Sequence, residues 1–205
     1  MTAVVGERRG AGRPRALSTE NVLDAALDLT ARHGLGALSI RTLASALSVT
    51  PRTVYTYVAS KDQLLSLMAD RFLERAAVPN PRADHPWLDE IRRISREYYR
   101  LYVDHPYALE LLLSADGSSS RSHDVVAANI QLLEQAGFSA VDSLMTNRAL
   151  NRFILGSAHG ELTDAAQRRV LRAQGAQDSD LIGLDGDSIF EHGLALILDA
   201  IERRQ

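Results

Sequence analysis

Apolar residues recur at helical spacing along most of the chain. Val22, Ala25, Ala26 and Leu29 form the i, i+3, i+4, i+7 stripe of an amphipathic helix. Ser18 or Thr19 caps its start, Glu20 sits in its first turn, and Gly34 and Gly36 end it. Residues 39–47 and 51–57 read as two short helices joined by a tight turn. Ser60 caps the next helix with Gln63 as a capping box, and Leu64, Leu65, Met68, Phe72 and Leu73 carry it to about residue 76. Pro79, Pro81 and Pro86 mark a joint between domains. Trp87, Leu88, Ile91, Ile94, Tyr98 and Leu101 then predict a long helix that His105-Pro106 breaks, with a shorter one to about residue 113. The Ser- and Gly-rich stretch 115–122 reads as a loop. Helices follow at about 123–136 and 140–161, then a strongly charged helical stretch over 163–174. A loop at 174–187 leads to a last helix over about 188–203. No strand pattern and no repeat appears, so the expected class is all-α.

The paired short helices carry the most chemistry. Leu43, Ala44 and Leu47 make the buried face of the first, and the small Ala44 lets the two helices cross closely. Ser48 occupies the turn position where a left-handed backbone is usual and glycine is favoured, at ~1 kcal/mol of strain for a serine. Val49 plugs the turn into the core. Thr50 caps the second helix, and Pro51 stands at its first position, where a missing N–H costs nothing. Val54 and Val58 point inward. Thr50, Arg52, Thr53, Tyr55, Thr56 and Tyr57 share the remaining surface, and Arg41 starts the first helix.

This is the helix-turn-helix plan, in which the second helix enters the DNA major groove. Arginine can grip guanine through two hydrogen bonds, while threonine and tyrosine reach phosphates or thymine methyls. No acidic residue occurs from Arg41 to Lys61, the only lysine in the chain. A helical hairpin packed in a core has the same spacing; the cap, the plug and the unbroken positive sign favour DNA.

Charge agrees. Residues 1–61 carry eight basic and four acidic groups, whereas residues 62–205 carry 15 and 22. A basic head on an acidic body points to a polyanion met by the head alone. The remaining composition is ordinary, with 45% apolar and 24% charged residues. The absence of cysteine excludes disulfides, thiolate catalysis and the common structural zinc sites, and is consistent with a reducing cytoplasm, the expected location. No export signal or membrane span is expected.

The residues from about Ser18 to Phe72 closely resemble the DNA-binding domain of the TetR family of bacterial transcriptional regulators. The resemblance rests on Ala25-Ala26, the turn from Gly34 to Ser39, Ile40-Arg41-x-Leu43-Ala44, Leu47-Ser48-Val49, Thr53-Val54-Tyr55-x-Tyr57-Val58 and Ser60-Lys61-x-x-Leu64-Leu65. It implies that Arg41, Thr50, Pro51, Arg52, Tyr55 and Tyr57 approach bases and backbone, and that Lys61 binds a phosphate. Two positions depart from the family pattern. Ser48 replaces the usual glycine, and Pro51 falls where some relatives carry a polar base reader, which shifts base readout to Arg52 and the threonines. The organisation expected is a basic arm (1–17), a helix-turn-helix domain with its connecting helix (18–76) and a ligand-binding and dimerisation domain (77–205). In the arm, Gly12-Arg13-Pro14-Arg15 resembles hooks that place arginine in the minor groove; an ordinary solubilising tail has the same composition.

The resemblance weakens after about residue 76. The last helix is apolar on two sides, Phe190, Leu194, Ile197 and Ile201 on one and Ile189, Leu196 and Ala200 on another, so it needs two covers. The helix at 140–161 offers Phe153, Ile154, Gly156 and Gly160. The family pairs these two elements in a four-helix dimer interface, which assigns Phe153, Gly156, Gly160, Phe190, Leu194, Ile197 and Ile201 to it; a monomer with an internal last helix is the alternative. An inducer pocket is implied by the resemblance alone, with Trp87, Tyr98, Tyr102, Asn129, Leu133, Asn151 and Phe153 as liners. Plain core or surface roles stand beside each, and Asn147 could as well face solvent.

Enzyme signatures are missing. His159-Gly160-Glu161 has the His-x-Glu spacing of zinc deaminases without their cysteine pair. The nucleophile-elbow, zinc-protease and phosphate-loop motifs do not occur. The expectation is a non-enzymatic homodimer, without cofactor, catalytic residue or metal ligand, whose partners are double-stranded operator DNA and a small-molecule effector of unknown identity.

Overall fold

A computed structural model describes residues 17–76, 78–80, 86–115, 119–177 and 185–204. Among the described residues the chain is all-helical. Helices α1 (Thr19–His33), α2 (Ile40–Ala46) and α3 (Pro51–Val54) form the head, α4 (Lys61–Leu73) leaves it, and α5 (Trp87–Asp104), α6 (Tyr107–Ser114), α7 (Ser120–Gln135), α8 (Ala140–Ala173) and α9 (Gly186–Glu202) build the body.

Side-chain caps fix most of the starts. Ser18, Ser39, Thr50, Ser60, Ser119 and Ser139 each accept from a backbone N–H in the first turn of the helix that follows. Ser39 and Thr42 form a reciprocal capping box. At Ser60 the return bond differs from the usual box, because the Gln63 side chain reaches the N–H of Ala59 at 2.5 Å. Gly34 ends α1 at φ 78° and donates to the Thr30 carbonyl at 2.8 Å.

The head closes around Val22, Ala26, Leu43, Ala44, Val54 and Val58, all buried. The same apolar core continues through Leu64, Met68 and Phe72 of α4 into the body. Phe72 meets His105 and Tyr107 edge-on, with ring centroids 5.5 and 5.9 Å apart. In the body, α8 lies against α5, α7 and α9. The buried Glu90 accepts from the backbone N–H of Asn80 at 2.8 Å and is paired with Arg93, which ties the chain before α5 to that helix.

Three boundaries differ from the sequence expectation. The helix expected at 123–136 begins at Ser120, because Ser119 supplies the cap. The stretches 140–161 and 163–174 are one helix of 34 residues, about 51 Å long at 1.5 Å per residue; a change in composition at residue 162 is not a breaker. The second helix of the pair keeps only Pro51–Val54, and Tyr55 to Tyr57 continue as tighter turns through Thr56 N–H to Thr53 O and Tyr57 N–H to Val54 O.

Candidate nucleic-acid interface and effector cavity

The turn between α2 and α3 has the geometry its residues demand. Ser48 lies at φ 56°, in the left-handed region. The N–H of Val49 donates to Ala44 O at 2.9 Å, and the Val49 side chain is half-buried against the core. The Thr50 hydroxyl then accepts from Thr53 N–H at 3.2 Å, which starts α3 immediately after the turn.

Burial sorts the expected DNA-contacting residues. Arg41, Thr50, Pro51, Arg52, Tyr55, Thr56 and Lys61 are exposed, and Thr53 is half-buried. Several hydroxyls are already engaged. Those of Thr50 and Thr53 lie 3.0 Å apart, and that of Thr56 donates to Thr53 O at 2.6 Å. Tyr57 is half-buried, and its hydroxyl donates to Leu17 O at 2.9 Å, which pins the root of the arm beside α3. Arg13 and Arg15 lie outside the described residues.

The cations around α3 stand apart from a set of paired arginines elsewhere. In α4 and the body, Arg71, Arg92, Arg93, Arg96, Arg100 and Arg168 are each ion-paired with Asp or Glu. Arg41, Arg52 and Lys61 form no ion pair with another described residue. Exposed charges left without counter-charges on one surface create a positive potential there.

Helix α4 joins this surface to a cavity. Asp70 accepts from the Ser119 hydroxyl at 2.7 Å and from the Arg121 backbone N–H at 2.9 Å, so a carboxylate of α4 sits on the first turn of α7. One turn along, Leu73 lines a cavity of about 250 Å³ in the body. Ser95, Tyr98 and Tyr102 from α5, Ser122 and Asn129 from α7, and Asn147 and Asn151 from α8 supply its polar groups. Burial pushes the Tyr98 phenol up to about 12 against the opposing charge of Arg121, and burial also raises Tyr102.

Four of the seven expected pocket residues thus line this cavity: Tyr98, Tyr102, Asn129 and Asn151. Three do not. Trp87 packs edge-on against Phe138, Leu133 is fully buried, and Phe153 stacks on Phe190 at 5.6 Å. Asn147 is buried on the cavity wall rather than facing solvent. Its neighbour at i+4, Asn151, carried the signal that one face of α8 is polar where it should be apolar.

The α8–α9 surface also departs from expectation. Phe190 and Leu194 are each 1% exposed within the single chain, so they belong to its own core and have no surface to offer a second copy. Phe190 lies sandwiched between Tyr99, 3.9 Å away, and Phe153. Ile197 and Ile201 are half-buried. The outward side carries Ile189 and Leu196, 50% and 59% exposed, and beside them on α8 the glycines 156 and 160 have open space where a Cβ would stand.

Comparison with known proteins places this architecture. The family model "Bacterial regulatory proteins, tetR family" matches residues 22–68, and "Tetracyclin repressor-like, C-terminal domain" matches residues 78–205. An HTH-type transcriptional regulator of Saccharopolyspora erythraea is 31% identical over 149 residues, 71% of this chain and 61% of that protein. The class D tetracycline repressor protein of Escherichia coli is 28% identical over 200 residues, 91% of this chain and 89% of the repressor. The chain spans 61% of the length of each of the first two curated relatives it matches. Among solved structures, Mycobacterium smegmatis BioQ is 27% identical with a TM-score of 0.76, over 92% of this chain and 99% of BioQ. The fold recurs in BioQ solved with its double-stranded DNA operator (24% identical, TM-score 0.69, 90% and 98% covered) and in Streptomyces coelicolor ActR solved with actinorhodin (22%, 0.75, 92% and 98%). Two family models that together cover most of the chain, on a fold with the matching helix-turn-helix, establish that the chain belongs to the TetR family of bacterial regulatory proteins.

Proposed function

We propose that the chain is a homodimeric repressor that binds a palindromic operator through residues 18–76 and is released by a small molecule held in the body, residues 77–205. The observation that carries the DNA reading is the set of exposed cations around α3. Arg41, Arg52 and Lys61 stand exposed around a capped α3 without an ion pair to another described residue, and no acidic residue occurs from Arg41 to Lys61. Arg52 is the base reader in this reading. Thr50, Pro51, Thr53, Tyr55 and Thr56 shape the contact, Tyr57 holds the arm root, and Lys61 meets a phosphate. The names of relatives support repression, and the BioQ and ActR complexes support DNA and a small organic molecule as partners.

In this mechanism two heads lie ~34–36 Å apart to read adjacent major grooves. The outward faces of α8 and α9 join the copies through Ile189, Leu196, Gly156 and Gly160, with half-buried Ile197 and Ile201 at the margin. An effector in the cavity touches Leu73 of α4 directly and reaches Asp70 through α7. Its binding therefore shifts the tilt of α4 and the spacing of the heads. Ligand and operator affinities are then coupled reciprocally, typically by ~1–3 kcal/mol. A DNA-packaging role without small-molecule input has no use for the cavity.

Selection of operators from random DNA tests this reading. A palindrome with half-sites one helical turn apart is expected to be enriched, and sedimentation at micromolar concentration is expected to give a dimer mass. No enriched sequence, or a monomer mass, overturns it.

A further inference from the structure

The chemistry of the cavity narrows what it accepts. Its polar side chains among the described residues are Ser95, Tyr98, Tyr102, Ser122, Asn129, Asn147 and Asn151; the rest of the lining is Leu, Ile and Val. Every one of these polar groups is uncharged at neutral pH. Arg121, whose charge acts on Tyr98, is not among the lining residues and borders a separate surface notch with Asp70, Glu74 and Asp124.

Tyr98 supplies the direction. It is 7% exposed, lines the cavity, and its hydroxyl has no hydrogen-bond partner among the described residues. A buried hydroxyl without a partner forfeits the bond it had in water. Burial keeps its proton on well above neutral pH, so it stands as a donor awaiting an acceptor. Apolar walls, uncharged amides and a buried phenol without a partner define a ligand class.

We infer that the cavity takes an uncharged, predominantly apolar molecule bearing a carbonyl-type acceptor, which the Tyr98 hydroxyl receives; this rests on reading the cavity as the effector site. At about 250 Å³ the space holds roughly eight water volumes, which suits a two-ring skeleton. A carboxylate would enter without a cation among the lining residues to meet it, and an ammonium without an anion.

Calorimetry on the full chain without DNA tests this with four probes of one shape: 2-acetylnaphthalene, 2-ethylnaphthalene, 2-naphthoate and 2-naphthylmethylammonium. The ketone is expected to bind at least about ten-fold tighter than either ion, since an unpaired buried charge is costly. Tyr98→Phe is expected to weaken the ketone about three- to ten-fold while leaving 2-ethylnaphthalene within about two-fold, the range of one net hydrogen bond. Without probe, the variant is expected to melt no lower than the parent, which separates lost recognition from lost folding. Naphthoate binding as tightly as the ketone would assign the site to Arg121 and overturn the class. Equal losses for ketone and hydrocarbon in Tyr98→Phe would overturn the donor role, and no binding by any probe would overturn the site. Titration of the ketone into the protein–operator complex separates the two readings. A ketone that binds free protein yet leaves operator affinity unchanged fails the effector reading and leaves the ligand class standing.

Discussion

The Asp70 carboxylate accepts the Arg121 backbone N–H at 2.9 Å and so binds α4 to the first turn of α7. The Ser119 hydroxyl that caps α7 donates to the same oxygen. Asp70→Ala is expected to destabilise the chain by about 1–3 kcal/mol in urea unfolding, the range for hydrogen bonds to a charged group and an unsatisfied donor. The Arg121 amide is expected to lose hydrogen-exchange protection. In the proposed mechanism the variant still binds operator, but an effector releases it less completely. Unchanged protection at Arg121 would remove the link.

Arg52 and Lys61 are expected to fail differently. Arg52→Ala costs ~1–3 kcal/mol on a selected operator and relaxes preference at one position per half-site. Lys61→Ala weakens all sequences alike and flattens the salt dependence by about one phosphate contact. Lys61→Arg asks whether charge suffices there, since arginine fills the other 22 basic positions. Mobility shifts at several salt concentrations read all three.

Ser48 at φ 56° carries strain that glycine does not. Ser48→Gly is expected to stabilise the head by about 0.5–1 kcal/mol, less than the full relief because glycine also loosens the unfolded chain. Thermal unfolding measures it, and a loss of stability would contradict the strain.

The phenol of Tyr98 is raised in the folded chain from 10.0 to about 12, chiefly by burial. Its contribution is therefore fully present below pH 10 and is lost as pH rises through about 12. Tyr99 and Tyr102 shift the same way. Alkaline titration followed by phenolate absorbance is expected to show these rings ionising together with unfolding, and Tyr98→Phe is expected to make the alkaline loss of stability shallower.

Leu196 and Phe190 separate pairing from folding. Leu196→Arg, on the outward side, is expected to leave the melting temperature of the chain nearly unchanged at low concentration and to give a monomer mass. Phe190→Ala, inside the core, is expected to cost about 3–5 kcal/mol. A dimer mass for Leu196→Arg would move the interface elsewhere.

The head was legible because its signals are local. Ser39, Thr50 and Ser60 act within their own first turns, and Ser48 and Val49 do their work inside a single bend. The body was less so because its decisions are made between helices. The stripe Phe190–Leu194 reads the same whether it meets its own domain or a second copy, and only the stacking of Phe190 between Tyr99 and Phe153 decides. Asn147 shows the same ambiguity: two amides one turn apart mark a polar face of α8 without declaring whether water or a cavity meets it. The continuity of α8 was missed for a different reason. Its second half changes in charge, and charge alone does not stop a helix that lacks a proline.

The shortness of α3 has a thermal consequence. Four residues cannot persist as a helix in water by themselves. Val54 and Val58, fully buried beneath α3, lend it its shape. The DNA-reading surface thus owns no stability and exists only while the small head stays packed. In the proposed mechanism warming is then expected to act as an inducer, emptying the operator at the temperature where the head melts. Operator affinity and the amide protection of the head are expected to fall together on heating; affinity that outlasts that protection would refute this.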